Sequence, residues 1–263
     1  MEKIFNEISV NSDFFVLMFI RITALIFSSP IFGRKNIPNI LKICLCILLA
    51  YIVFSASPKT FEIQYRNVLE FAIICIKELL FGLVLGYVTT LFFTLVQTSG
   101  QAMDMQMGFG MVNVFDVQDN ISIPITGNLL YVVLLIIFFA VNGHHQLIYI
   151  LQSTFNQIPV GTVALNAKIA WIALEVFVLA FLLAINVAMP IIASGLLGEV
   201  ALGFMVRSVP QMNVFVVGIP LKILLGFLML LLILPVYVHF TDVIFKEMFA
   251  AINRMVSGLA GVS

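Results

Sequence analysis

Residues 169–197 read IAWIALEVFVLAFLLAINVAMPIIASGLL. The run is continuously apolar, and it is longer than the roughly 20 residues a helix needs to cross a hydrocarbon layer. In water it would aggregate. In lipid its backbone groups must pair within the structure, which only helices and closed barrels achieve. The absence of apolar–polar alternation disfavours barrel strands and leaves helix. Five further runs have the same character, at residues 14–32, 41–54, 71–96, 129–141 and 215–240. The expected fold is all-α: a polytopic membrane protein of bent helices, broken by proline at Pro190 and bracketed by Pro220 and Pro235 in the last run. The runs at 41–54 and 129–141 are short for a plain span and fit re-entrant or protein-buried helices.

Whole-chain composition supports lipid as the solvent. Of 263 residues, 62% are hydrophobic and 10% charged, and mean hydropathy is +1.15. A soluble domain is about 45–50% apolar and about 25% charged. No polar block is large enough for a separate soluble domain, so residues 1–263 form one membrane unit. Lys plus Arg and Asp plus Glu both number 13. That balance excludes a nucleic-acid partner, which requires a basic face. The start, MEKIFNEISVNSDFF, lacks the basic and apolar regions of a signal peptide, so the first apolar run is read as mature protein. Cys44, Cys46 and Cys75 lie in apolar runs and read as buried small hydrophobes, not as a disulfide or metal framework.

Loop charge leaves orientation open. With six spans, one side carries Lys3, Lys59, Arg66, Lys168, Lys246 and Arg254, and the other Arg34, Lys35, Lys42, Arg207 and Lys222. So even a split does not satisfy the positive-inside rule: either partners set the orientation, or some helices do not cross the bilayer in the usual way.

Polar residues inside the apolar runs are the candidates for function. Arg21 in the first run must face protein or water, because a mid-membrane Arg costs about 2.5–3.5 kcal/mol on insertion scales. Snorkelling, or pairing with an acid such as Glu78 or Glu199, is the structural expectation; a place in a transport path is the functional one. Gly82 and Gly86 form a small-xxx-small pair suited to close helix packing. Glu199, Arg207, Gln211, Asn213 and Lys222 interrupt an otherwise apolar segment. They read as buried polar groups, subunit contacts or a simple polar loop.

The most unusual stretch is residues 99–119, SGQAMDMQMGFGMVNVFDVQD. Met103, Met107 and Met111 would share a helix face, but Gly108 and Gly110 loosen that helix. Methionine seals irregular gaps and repacks. Met103, Met105, Met107, Gly108, Phe109, Gly110, Met111, Phe115 and Asp116 are therefore candidates for a loop that occludes a pore, or, more plainly, a packed turn. Asp104, Asp116 and Asp119 crowd one Gly-rich segment and do not form the two-helix carboxylate pair of an intramembrane protease. The adjacent His144 and His145 should point apart, which excludes a shared metal. No Walker loop or HExxH spacing occurs. No catalytic residue, metal or cofactor is expected.

Four stretches carry a family likeness: Arg21 with Pro30-Ile31-Phe32-Gly33 and Ile37-Pro38; Gly100-Gln101 with Asp104-Met105-Gln106-Met107-Gly108; Asn142-Gly143-His144 with Thr154-Phe155 and Pro159-Val160-Gly161; and Leu202-Gly203 with Arg207, Pro210-Gln211, Asn213-Val214-Phe215, Gly218 and Pro220. In order and spacing the chain resembles the FliR family of flagellar export-gate subunits, whose superfamily includes injectisome counterparts. Asp116-Val117 departs from the family's common Asp-Pro. The resemblance implies a non-enzymatic subunit of a type III protein-export gate in the bacterial inner membrane, at the flagellar basal body. It implies P-type and Q-type partner subunits, a B-type export switch protein, and unfolded export substrates in transit. It further implies a P-type-like part over about residues 1–200, a Q-type-like hairpin over about 201–263, and a plug at about residues 108–116. An injectisome subunit is the alternative; a secondary transporter would need internal repeats, and none is present.

Overall fold

The computed structural model describes residues 12–56, 65–109, 124–164, 166–209 and 214–260. Among the described residues there is no strand. Seven helices follow in order: α1 (Ser12–Ser28), α2 (Asn39–Ala56), α3 (Val68–Met107), α4 (Ile125–Ala140), α5 (Gly143–Gln157), α6 (Ala167–Ser208) and α7 (Val214–Leu259). The protein is an all-α polytopic membrane protein.

Four of these helices, α2, α3, α6 and α7, are long and apolar enough to cross a membrane by length and composition; α4 adds a fifth only when joined to α5. Among the described residues, the six apolar runs therefore do not become six plain spans. The described part of the first is α1, which ends where the chain turns at Ser29 ahead of Pro30. The run at 129–141 stops where Asn142 adopts a left-handed conformation, φ 57°, a conformation in which Asn is better tolerated than most residues. α5 begins at the next residue.

Pro220 and Pro235 do not bound the last helix as expected. α7 continues through both, and α6 continues through Pro190. Each proline removes one backbone bond, yet breaking the helix in an apolar medium would expose several more unpaired groups. The reading of the cysteines also needs one correction: Cys46 is buried, Cys75 partly buried and Cys44 exposed. Two residues apart on a helix, Cys44 and Cys46 face opposite ways.

The chain divides into two compact units. Unit 1 takes Met1–Leu91, Asn142–Phe177 and Glu247–Ser263, and unit 2 takes Phe92–Val141 and Val178–Lys246. In unit 1, α1 and α3 meet at Gly82 and Gly86. A Cβ at Gly82 would strike the Arg21 carbonyl and the Ala24 methyl, and one at Gly86 would strike the Ser28 hydroxymethyl. This contact lets the Thr90 hydroxyl donate to the Ser28 carbonyl at 2.7 Å. In unit 2 the core centres on Phe138, whose ring meets Phe93 and Phe245 edge-on at 5.5 and 5.6 Å. The buried Tyr237 hydroxyl donates to the Leu130 carbonyl at 3.0 Å, so its one polar atom is satisfied.

Candidate functional site

Two polar clusters and the stem of the central segment stand out from the apolar background. The first cluster lies in unit 1. Arg21 and Glu78 are both 0% exposed. Arg21 Nε donates to Glu78 Oε2 at 2.5 Å and Nη2 donates to Oε1 at 3.1 Å, a two-pronged pair. Nη1 donates to the carbonyls of Ile158 at 3.2 Å and Thr154 at 3.5 Å. These carbonyls end α5, so the guanidinium also neutralises the negative end of that helix. Glu78 Oε1 accepts a third bond, from the Gly161 N–H at 2.8 Å. Gly161 is left-handed, φ 89°, in a turn closed by the Thr162 N–H on the Pro159 carbonyl at 3.1 Å. That conformation suits glycine. Above and below, the rings of Phe81 and Phe155 stand 4.3 and 4.6 Å from the guanidinium carbon, placing the cation over two aromatic faces.

Of the two acids offered as partners for Arg21, the structure uses Glu78. The cluster also draws together Thr154-Phe155 and Pro159-Val160-Gly161, motifs more than 130 residues from Arg21 in the chain. Lys77, beside Glu78, is partly exposed and takes no part in it. Phe81, Phe155 and Gly161 were not singled out from sequence as partners of a charge. The available signal was the requirement that a buried guanidinium fill its donors and a buried carboxylate its lone pairs.

The stem of the central segment lies in unit 2. Met103, Met105 and Met107 were expected in a loop. They belong instead to the last turns of α3, which runs unbroken to Met107. The helix tolerates Gly100 because this glycine packs against Gly127: a Cβ there would fall on the Gly127 backbone. Met103 and Met107 are buried, whereas Met105 is 75% exposed. The helix stops at Gly108, φ 88°, where a Cβ would find open space. Only there does the helix give way to a turn. Phe109 follows, its ring edge-on to Phe227 at 5.6 Å. Gly110, Met111, Phe115, Asp116 and Asp119 lie outside the described residues, as do Gln211 and Asn213.

Asp104 has a role that sequence reasoning missed. Both its carboxylate oxygens lie 3.2 Å from the Thr126 N–H, in the first turn of α4. The residue preceding that helix, Pro124, supplies no side-chain cap. Asp104 therefore caps α4 from α3, with a carboxylate against the positive end of the helix. The capless Pro124 was the signal in the sequence.

The second cluster joins α3, α6 and α7 within unit 2. Lys222 Nζ donates to Glu199 Oε1 at 2.7 Å, and Gln106 Nε2 donates to the same oxygen at 3.3 Å. The Lys222 and Glu199 side chains are 28% and 44% exposed. Glu199 and Arg207 are thus not buried within this chain. Both stay on helix α6, with Arg207 in its last turn, where a cation suits the negative end. His144 and His145 do not point apart as expected: they occupy the first turn of α5, and their rings lie 4.1 Å apart at 41°. Among the described residues, no group of three or more His, Cys, Asp or Glu is placed to hold a metal ion.

The chain matches known proteins over most of its length. The model of bacterial export proteins, family 1, covers residues 13–248. The flagellar biosynthetic protein FliR of Bacillus subtilis is 35% identical over 95% of this chain and 96% of its own. Those of Escherichia coli and Aquifex aeolicus are 28% and 29% identical, over 91% and 86% of this chain and 91% and 89% of their own. The family model over residues 13–248 and the end-to-end similarity to these proteins agree: the chain belongs to the bacterial export proteins, family 1, as a member of the FliR family of flagellar export proteins.

Proposed function

We propose that the chain is a non-enzymatic subunit of the flagellar type III export gate in the bacterial cytoplasmic membrane, forming part of the channel for unfolded substrates. Its relatives are flagellar biosynthetic proteins, which favours the flagellum over the injectisome. In this reading P-type and Q-type subunits are its partners, the part up to about residue 200 takes a P-type place, and the hairpin over about 201–263 takes a Q-type place. A B-type switch protein docks on the assembly.

The observation that carries the reading is the length of exposed apolar surface on α6. Large hydrophobics stay exposed from Trp171 (68%) through Phe181, Met189 and Leu197 to Phe204 (67%). That row is about 50 Å long at 1.5 Å per residue. A hydrocarbon core of about 30 Å covers only about 39 Å of helix, even at a tilt of about 40°. The remainder reaches past the hydrocarbon, where packing against other apolar subunits would cover it. A subunit packed among other apolar subunits has such a surface, whereas an isolated transporter does not need one. Glu199, Arg207 and Lys222, exposed on the same apolar helices, fit subunit contacts for the same reason.

The Met/Phe/Gly segment after α3, about residues 108–116, closes the pore at rest and moves aside for substrate. Its support is composition together with the abrupt helix end at Gly108. Deleting residues 108–115 should leave assembly largely intact, because Asp104 and Thr126 tie the two flanking helices on either side of the deletion. The membrane should then leak small ions and solutes. A deletion strain with normal membrane tightness would count against the plug. Loss of co-purifying P-type and Q-type subunits from the intact protein in mild detergent would count against the gate itself.

A further inference from the structure

The last turn of α3 is held by side chains outside the segment just assigned to closing the pore. Glu199 Oε1, on α6, collects one donor from α7, Lys222 Nζ at 2.7 Å, and one from α3, Gln106 Nε2 at 3.3 Å. Beside it, Gly195 leaves the room that Gln106 fills: a Cβ there would lie 2.5 Å from Gln106 Cγ. One residue on, Met107 occupies the space over Gly226, where a Cβ would lie 2.5 Å from Met107 Cγ. Gln106 and Met107 are thus seated in glycine notches of two other helices, and at Gly108 the backbone turns away.

The two bonds on Glu199 differ in kind. The contact with Lys222 is short and charge-assisted; the contact with Gln106 is longer and has a neutral donor. The charged contact is thus the stronger of the two, even with both side chains partly exposed. Gln106 is held by the weaker one. The end of α3 can therefore leave Glu199 while the ion pair persists.

We propose that Gln106, Glu199 and Lys222 form a positioning cluster that fixes the point at which the central segment leaves α3, with Gln106 as its releasable leg. The proposal rests on the reading of that segment as the closing element of the gate. The test uses cells carrying the complete export apparatus and the variants Gln106→Leu, Glu199→Gln, Lys222→Met and the exchanged pair Glu199→Lys/Lys222→Glu, with the 108–115 deletion alongside. Small-solute leak is measured together with co-purification of the partner subunits. Each single variant is expected to assemble and to leak about five- to tenfold more than the parent, less than the deletion, as the loss of one polar contact from a two-state element implies. The exchanged pair is expected to restore tightness, because the Gln106 amide can turn and offer its oxygen to the introduced ammonium.

Single variants that assemble and stay tight while the deletion leaks would overturn the cluster and leave the gate reading standing. A tight deletion would remove the gate reading and the cluster with it. If the single variants fail to assemble, the exchanged pair decides: an assembled, tight exchange supports the cluster, and an unassembled or leaking one overturns it.

Discussion

Among the described residues, two carboxylate–cation pairs join distant helices, and they are built to opposite specifications. Arg21 and Glu78 are wholly enclosed, joined through two oxygens, and backed by three backbone groups and two aromatic rings. Glu199 and Lys222 are partly exposed and joined through a single oxygen that is shared with an amide. Burial raises both the strength of an ion pair and the cost of leaving it incomplete. The first pair can therefore neither open nor lose a member without loss of structure. The second can let go of its amide partner at little cost. A framework charge and an adjustable charge are distinguished here by what surrounds them, not by residue type.

Breaking the enclosed pair should have the largest effect. Glu78→Ala or Arg21→Leu leaves a buried charge or a set of unfilled acceptors, for a loss of about 3–5 kcal/mol. Thermal unfolding in detergent should show it, and little complex should be recovered; normal assembly and export by Arg21→Leu would exclude the framework role. Gly82→Ala attacks the same cluster through the backbone. Its Cβ meets the Arg21 carbonyl, an overpacking cost of about 1–3 kcal/mol, readable in the same melting experiment. Asp104→Ala removes the cap of α4 and should cost about 0.5–2 kcal/mol. Hydrogen exchange of the first turn of α4 should speed up, while the enclosed pair in unit 1 stays protected.

The adjustable pair should separate stability from function. Lys222→Met is expected to cost no more than about 1 kcal/mol in melting while raising the leak. A large melting effect would mean that this pair, too, is framework. Arg254→Ala is the reference point for both. It breaks an exposed contact to Glu247 at 3.2 Å and should change melting by about 0.5 kcal/mol or less, with no leak.

Much of the framework was legible one residue at a time. A guanidinium inside an apolar run must find an acid, and Gly82 and Gly86 four apart announce a close helix contact. The extent of α3 was not legible. Gly100 and the polar residues after it resemble a loop in isolation, yet they stay helical because Gly127 accepts the close approach and Thr126 supplies a partner for Asp104. The contact of His144 with His145 depended in the same way on where α5 begins, after a left-handed Asn142.

What the sequence determined by itself is the solvent and the element type. Long continuous apolar runs require lipid or apolar protein around them, and the backbone must then pair internally as helices. Its end-to-end likeness to the FliR family was also readable there. Only the tertiary structure decided which acid meets Arg21, where α3 ends, and which of the polar residues are enclosed. Pairing depends on distance across the fold, and residues 57 and 133 positions apart carry no local sign that they will touch. The strength of each charge pair was settled the same way, because it depends on the groups packed around it, and those come from three or more separate segments of the chain.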